Sequence, residues 1–362
     1  MKLIRKYKSE IKTIITFTLL GTLAGVTYPI LTILLSKFVE LHLQTFLQPL
    51  RNGAMIGFLI GFISSVCEVT LFEKDLQKLK FLYLLLIRSA FYIIIISFSV
   101  MFVAAAEESR LNGIAITEVI YTDDYKEFIF GRDFFKIVMF AVAASIIVNF
   151  MRQLNRLMGQ NVFINYIMGK YHHPKEEERI VMFLDLKSST TIAEKLGHYK
   201  YHNFISEVFY DTTLSIVECK GKILQYVGDE IVITWKLNKA YCEKNCVKCF
   251  FDISRRLEEL KEKYMEKYGF YPKFKAAVHG GKIIIGEIGL VKKELVYHGD
   301  VMNTTSRILN QCNPLQKELL ISEDIVHSVK CADNLKVEAI GKYKLKGKEE
   351  EIELYSISEK DK

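Results

Sequence analysis

Several signatures that settle a protein's class at once are missing from this sequence. There is no cysteine framework: the seven cysteines are irregularly spaced, and six of them fall after residue 150. That argues against a disulfide-stapled extracellular scaffold and suits a reducing compartment. There is no basic patch interleaved with aromatics, so the formal charge of +7 does not point to nucleic acid. Many Lys and Arg flank apolar runs instead, where such residues orient membrane segments. No small-residue cleavage site follows the first apolar run, which is too long for a signal peptide.

What is present divides the chain in two. Half of the 362 residues are hydrophobic, and mean hydropathy is +0.15. The excess lies before residue 150. Four segments there, about 11–36, 53–72, 81–104 and 134–150, are long enough or nearly so to cross about 30 Å of hydrocarbon, the fourth being short. The expectation is an all-α membrane domain over 1–150 with four transmembrane helices. A helical connector follows over 151–177, then a soluble domain over 178–357 and a tail over 358–362. Lys2, Arg5, Lys6 and Lys8, then Lys74, Lys78 and Lys80, then Arg152 and Arg156 alternate so as to share one side. The 105–132 loop carries Glu107, Glu108, Glu118, Asp123, Asp124 and Glu127 and belongs on the other. Basic residues mark the inner side. Both termini and the soluble domain are therefore expected in the cytoplasm, below the cell (inner) membrane. Glu68 and Arg88 fall inside spans two and three. Intramembrane charges pair or snorkel, and a Glu68–Arg88 pair is the expectation, with Arg88 snorkelling alone as the alternative.

In the connector, His172 and His173 precede Pro174, a polar turn more readily than a metal site. The apolar run RIVMFLDL carries Asp185 and reads as a buried central strand. Ser188, Ser189 and Thr190 follow it, good N-cap material for a helix whose free N–H groups could receive an anion. A helix is expected over about 200–218. In QYVGDEIVITW, Gly228-Asp229 sits between two β-branched runs, a hairpin tip. If its strands neighbour the first strand, Asp229 meets Asp185, and a divalent cation relieves the repulsion. Hard oxygen ligands near phosphate favour Mg²⁺ or Mn²⁺. Residues 240–267 read as one amphipathic helix, on which Cys242, Cys246 and Cys249 share a face as small packing residues rather than cluster ligands. Asn303 and Arg307, four apart, share a face near the start of a later helix. Arg offers several donors to phosphate oxygens. Near the C-terminus, Lys346 and Lys348 flank a glycine.

FLDLKSST, YVGDE, HGDVMNTTSR and KLKGK, in that order, resemble the class III nucleotidyl cyclase catalytic domain over about 178–357. The resemblance implies a ferredoxin-like α+β fold and a head-to-tail homodimer with shared sites. It implies Asp185 and Asp229 as ligands of two Mg²⁺ or Mn²⁺ ions, Asn303 orienting the ribose, and Arg307 stabilising the transition-state phosphate. Lys346, or else Lys348, would hold the terminal phosphates, and Ser188, Ser189 and Thr190 would line the phosphate cradle. The base-reading positions depart from the family: Gln225 and Val296 stand where adenylyl enzymes usually have Lys and Asp or Thr, and guanylyl enzymes Glu and Cys. A Gln amide can serve adenine N6 and N1, or guanine if rotated, and Val296 contributes no hydrogen bond. The expected activity is membrane-bound adenylate cyclase acting on ATP, with guanylate cyclase acting on GTP as the alternative. VGDE is also similar to the GGDEF hairpin of diguanylate cyclases, but the first glycine is absent and NTTSR belongs to the class III pattern. An inactive dimerising membrane scaffold is a further alternative.

Overall fold

The structure is a computed structural model. It describes residues 2–35, 43–72, 81–159, 162–237, 242–329, 335–348 and 350–360. The chain separates into two compact units, Met1–Gln153 and Leu154–Lys362.

The first unit is helical. It contains α1 (Lys2–Leu35), α2 (Leu43–Cys67) with a π-helical extension Glu68–Phe72, α3 (Phe81–Asn112), α4 (Ile116–Val119), α5 (Asp123–Phe130) and α6 (Arg132–Met158). Four stretches are long and apolar enough to cross a membrane: Ile14–Thr32, Leu47–Thr70, Leu86–Asn112 and Arg132–Met151. The fourth, short in the sequence pattern, gains length because the helix starts at Arg132. A helix is the one open segment that satisfies every backbone group without water. α1 and α2 approach closely enough that only glycines fit between them. A Cβ on Gly57 would collide with the Gly21 carbonyl, and one on Gly61 would lie 2.7 Å from Phe17 O. Small residues four apart permit this approach, which compensates for the weak apolar drive between helices in lipid.

Glu68 and Arg88 form the expected pair, Nη2 to Oε1 at 2.8 Å, with side chains 7% and 4% exposed. Tyr92 donates to the other Glu68 oxygen at 3.3 Å. The acidic loop is itself folded. Thr122 caps α5 and donates to Glu108 at 2.5 Å, while Tyr125 donates to Met101 O at 3.1 Å. The loop bearing Lys74, Lys78 and Lys80, on which the expected orientation partly rests, lies outside the described residues.

The second unit holds α7 (Val162–Ile167), β1 (Lys175–Leu186), α8 (Ser189–Glu218), β2 (Lys222–Val227), β3 (Glu230–Lys236), α9 (Cys242–Glu259), α10 (Lys261–Tyr268), β4 (Phe274–Ile288), β5 (Glu294–His298), α11 (Asp300–Gln311), β6 (Leu319–Ser322), α12 (Glu323–Val329), β7 (Leu335–Lys344) and β8 (Glu351–Glu359). The sheet order is β2-β3-β1-β4-β6-β8-β7, with β5 beside β4. Its first half is the β-α-β-β-α-β ferredoxin-like unit, as the sequence suggested. β1 is central and apolar on both faces. Ile180, Met182 and Leu184 pack beneath α8 and α9 around Phe204, Trp235 and Phe250. Val181 and Phe183 face the other way, against Val301, Ile308 and Leu309 of α11.

Several expected elements are corrected. The helix expected after Ser188–Thr190 and the one expected over about 200–218 are continuous as α8, Ser189–Glu218, with only Gly197 between them at φ 70° and ψ 161°, a backbone state that glycine alone adopts cheaply. The single helix over 240–267 is two, broken at Leu260 (φ −101°, ψ 6°). Ser188 adopts a left-handed backbone (φ 58°), and its side chain makes no capping bond, so the expected hydroxyl cap is not formed.

One network fixes the acid response of this unit. Glu207 is partly buried, which opposes its charge, but hydrogen bonds from Lys263, Lys267 and Tyr268 outweigh that and hold its carboxyl down at about 2. An unfolded Glu titrates near 4.3, so this contribution is complete above that pH and is lost as pH falls toward 2. Thermal unfolding of the full chain is expected to drop between pH 5 and 3, by about 2–4 °C per kcal/mol lost. Glu207→Gln should flatten that slope; an unchanged slope would show that other groups govern it.

Candidate active site

The sequence brings two acids to one end of the sheet through strand register. β1 pairs β3 antiparallel so that Asp185 faces Glu230, and the preceding residue, Asp229, occupies the β2–β3 turn. Gly228 there has φ 62°, which permits the tight reversal. The carboxyls of Asp185 and Asp229 are within hydrogen-bonding reach of each other. Burial raises the Asp185 carboxyl above its usual range and Asp229 raises it further, against the lowering pull of Lys275. Burial first, then Asp185 and Asp229, push Glu230 up to about 7. Lys275 Nζ lies 3.1 Å from Asp185, with side chains 12% and 22% exposed. β4 supplies this lysine because it pairs β1 with Asp185 opposite Lys275.

This is a site short of positive charge. Two aspartates and one lysine crowd a half-buried corner, and like charges there are relieved by a cation. Among the described residues no group of three or more His, Cys, Asp or Glu is arranged to hold a metal ion. The donor set is thus two hard carboxylates, which suits an ion whose remaining ligands are phosphate oxygens and water.

The start of α8 adjoins this corner. Ser188 and Thr190 are exposed and Ser189 is half-buried, and Ser189 shares a hydrogen bond with Tyr201. With no side-chain cap, the first N–H groups of α8 are available to an anion. The strained Ser188 backbone is the kind of outlier that collects at functional sites.

Asn303 and Arg307 lie on α11, whose buried stripe is Val301, Thr304, Thr305, Ile308 and Leu309. At about 100° per residue, Asn303 and Arg307 point to the opposite side, away from the sheet. The start of α11 packs over the far end of β1. A Cβ on Gly281 would meet Val301, and Gly281 pairs with Arg179, about 20 Å along the strand from Asp185 at about 3.4 Å per residue. Asn303, near that start, is held toward the end of β1 remote from the acids, while α11 runs back along the sheet until Cys312 Sγ meets Ala276 O at 3.5 Å, opposite Leu184.

The C-terminal turn does join α11. Gly347 has φ 72°, and a Cβ there would lie 3.4 Å from Arg307 Nη2. Lys348 is ion-paired with Asp300, to which Thr304 also donates at 3.3 Å. The Lys348 hydrogen bond pulls the Asp300 carboxyl below its usual range. Lys346 stays exposed. Gln225 is exposed on β2 opposite Val232, and Val296 is half-buried on β5 opposite Gly286; these strands are not neighbours.

Sequence reasoning missed Lys275, Glu230 and Asp300. A lysine inside the apolar run KFKAAV was the available signal for the first. The cysteines read as packing: Cys246 and Cys249 are fully buried, and Cys219 contacts Asp252 at 3.5 Å. The side chain of Cys242 lies outside the described residues. The His172 and His173 rings meet edge to face, with centroids 5.2 Å apart.

Residues 171–359 match the family described as adenylate and guanylate cyclase catalytic domain. Over 222 residues, 61% of this chain, it is 32% identical to "Adenylate cyclase 2" of Rhizobium meliloti (strain 1021), and spans 61% of that protein's length. It is 23% identical over 181 residues to "Adenylate cyclase" of Anabaena cylindrica, covering 36% of it. A solved bacterial light-regulated adenylyl cyclase shares the fold, with a TM-score of 0.52 and 19% identity over 60% of this chain and 64% of that one.

The Asp300–Lys348 pair is expected to fasten the turn to α11. Asp300→Ala should raise amide exchange in Leu345–Lys348 by up to about fivefold, with little change in unfolding temperature, because exposed pairs contribute about 0–1 kcal/mol. Unchanged exchange would mean that the turn is held by its own backbone.

Proposed function

The chain belongs to the adenylate and guanylate cyclase family, and from that premise we propose that it is a membrane-anchored adenylate cyclase converting ATP to 3′,5′-cyclic AMP and pyrophosphate. The observation that carries this reading is the crowding of Asp185, Asp229 and Glu230, with Asp185 and Glu230 raised by burial and by their neighbours' charge. Such a corner is poised to receive cations together with a polyphosphate.

Asp185 and Asp229 would hold two Mg²⁺ or Mn²⁺ ions, whose chemistry when bound is to lower the pKa of the attacking 3′-hydroxyl and to neutralise the leaving pyrophosphate. Lys275, released from Asp185 as the acids take up cations, is left with its ammonium free for a phosphate oxygen. The uncapped start of α8, at Ser188, Ser189 and Thr190, would cradle further phosphate oxygens. Asn303 would hydrogen-bond the ribose and hold its hydroxyl in line with the α-phosphorus. Arg307 would meet the charge that develops there, a contribution realised in the transition state. Of the two lysines in the C-terminal turn, Lys348 is already engaged by Asp300, which supports Lys346 as the one that reaches the terminal phosphates.

The outward direction of Asn303 and Arg307 supports a homodimer in which each copy completes the other's site. Exposed apolar residues on the second unit, such as Tyr210, Leu214 and Leu290, are consistent with a partner surface. ATP is favoured over GTP because a Gln225 amide both accepts from adenine N6 and donates to N1, and because the relatives above are named as adenylate cyclases. The first unit would lie in the cell membrane with both termini and the catalytic unit on the cytoplasmic side.

The test is product analysis of the full chain in detergent with Mg²⁺ or Mn²⁺ and either ATP or GTP. Cyclic AMP is the expected product. Arg307→Ala should lower kcat by about 10²-fold with a smaller effect on KM, and Asp229→Ala should abolish turnover. Mixing those two inactive variants should restore roughly a quarter of wild-type activity, since half the dimers regain one intact site. Folded wild-type chain that makes no cyclic nucleotide would overturn the enzymatic reading; no recovery on mixing would overturn the shared site.

A further inference from the structure

The first unit encloses a cavity of 970 Å³ between α1, α2, α3 and α6. Its lining on α2 runs from Gln48 to Ser64, about 24 Å of helix at 1.5 Å per residue, most of the thickness of a bilayer's hydrocarbon. The wall is chiefly apolar, with Phe17, Ile60, Val100 and Phe140 among its residues. In this apolar space two side-chain oxygens are orphaned. Asn149 is 4% exposed; its amide nitrogen donates to Ser145 O at 2.9 Å, while its Oδ1 is buried without a hydrogen bond. Asn52 Oδ1 is in the same state. Both residues line the cavity. Buried acceptors without donors call for a partner.

One end of the cavity adds acceptors of a stronger kind. Glu107, Glu108 and Asp124 line it. Glu107 is already engaged by Arg51 and Arg110. Glu108 receives a hydrogen bond from Thr122 and has no cationic partner among the described residues. Of the two orphaned acceptors, Asn52 adjoins this end, because Arg51 pairs with Glu107, whereas Asn149 lies level with Tyr92, about 24 Å along α3 from Glu108. An occupant of this space must therefore be long and apolar, with a polar part that carries positive charge at the Glu108 end and donates a hydrogen bond to Asn52. The outer faces of the surrounding helices are apolar and exposed, as at Leu19 and Met139. In the membrane placement proposed above, hydrocarbon surrounds them.

We propose that the cavity binds a single-chain amphiphile with a protonated amine head, taken from the bilayer, with the head at Glu108 and the chain along the apolar wall. The proposal rests on the membrane placement of the first unit and not on its catalytic partner, so the two fail separately.

The experiment uses the full chain in phosphatidylcholine nanodiscs, with radiolabelled sphingosine as the probe and stearic acid, of equal chain length and opposite head charge, as the comparison. Sphingosine should bind saturably, one per chain, and stearic acid at least about tenfold more weakly, where tenfold is 1.4 kcal/mol. Ala144→Phe, which fills the lining, should weaken sphingosine by about tenfold or more, and Glu108→Gln should narrow the gap between the two probes. If Ala144→Phe lowers the unfolding temperature, Asn52→Leu, which removes the orphaned acceptor at the Glu108 end, serves in its place. Non-saturable uptake indifferent to both cavity variants would overturn the site, leaving water as its filling. Stearic acid binding as well as sphingosine would overturn the assigned head chemistry.

Discussion

The catalytic half depends on the confinement of negative charge at one corner of a sheet. Asp185 ends the central strand and Asp229 turns the adjacent hairpin, and antiparallel register forces them together. Neither burial nor repulsion is relieved by moving apart, because both backbones are fixed by the ladders of β1, β3 and β4. Lys275 offsets part of the charge, and the remainder leaves the corner short of positive charge, which is the basis of the proposed cation and phosphate binding. The central strand tolerates this because the run just before Asp185, Ile180–Leu184, is apolar and packed on both faces.

The same sheet sets the direction of α11. The helix spends its apolar stripe on the sheet and so turns Asn303 and Arg307 outward. Its start lies over the end of β1 remote from the acids. The C-terminal turn joins α11 through Asp300 and Lys348, so that Gly347 lies against the Arg307 guanidinium. The proposed pairing of two copies follows from this outward direction.

The membrane half obeys a different constraint. Without water to drive apolar association, its helices meet where glycines allow backbone contact, between α1 and α2, and where charges pair, at Glu68 and Arg88. The same glycine seam and Tyr92 form part of the wall of the open space among α1, α2, α3 and α6, which also holds two unmatched acceptors. The proposed ligand site is therefore built directly on the contacts that hold the helices together.

Sequence alone determined what depends on local pattern. Four long apolar runs had to be helices in lipid, RIVMFLDL had to be an inner strand, and the turn at Gly228-Asp229 had to join two strands, because burial periodicity is written residue by residue. The motifs FLDLKSST, YVGDE and NTTSR indicated which side chains bear chemistry, and the Glu68–Arg88 pair followed from two charges in neighbouring spans. Tertiary structure decided what depends on register and rotation. Lys275 meets Asp185 through a ladder between strands some ninety residues apart, Leu260 breaks a helix whose apolar pattern runs on, and Ser188 gives up its cap for a strained turn. The outward face of α11 was equally hidden, since an i, i+4 spacing fixes that two residues share a side but not which side the sheet will cover.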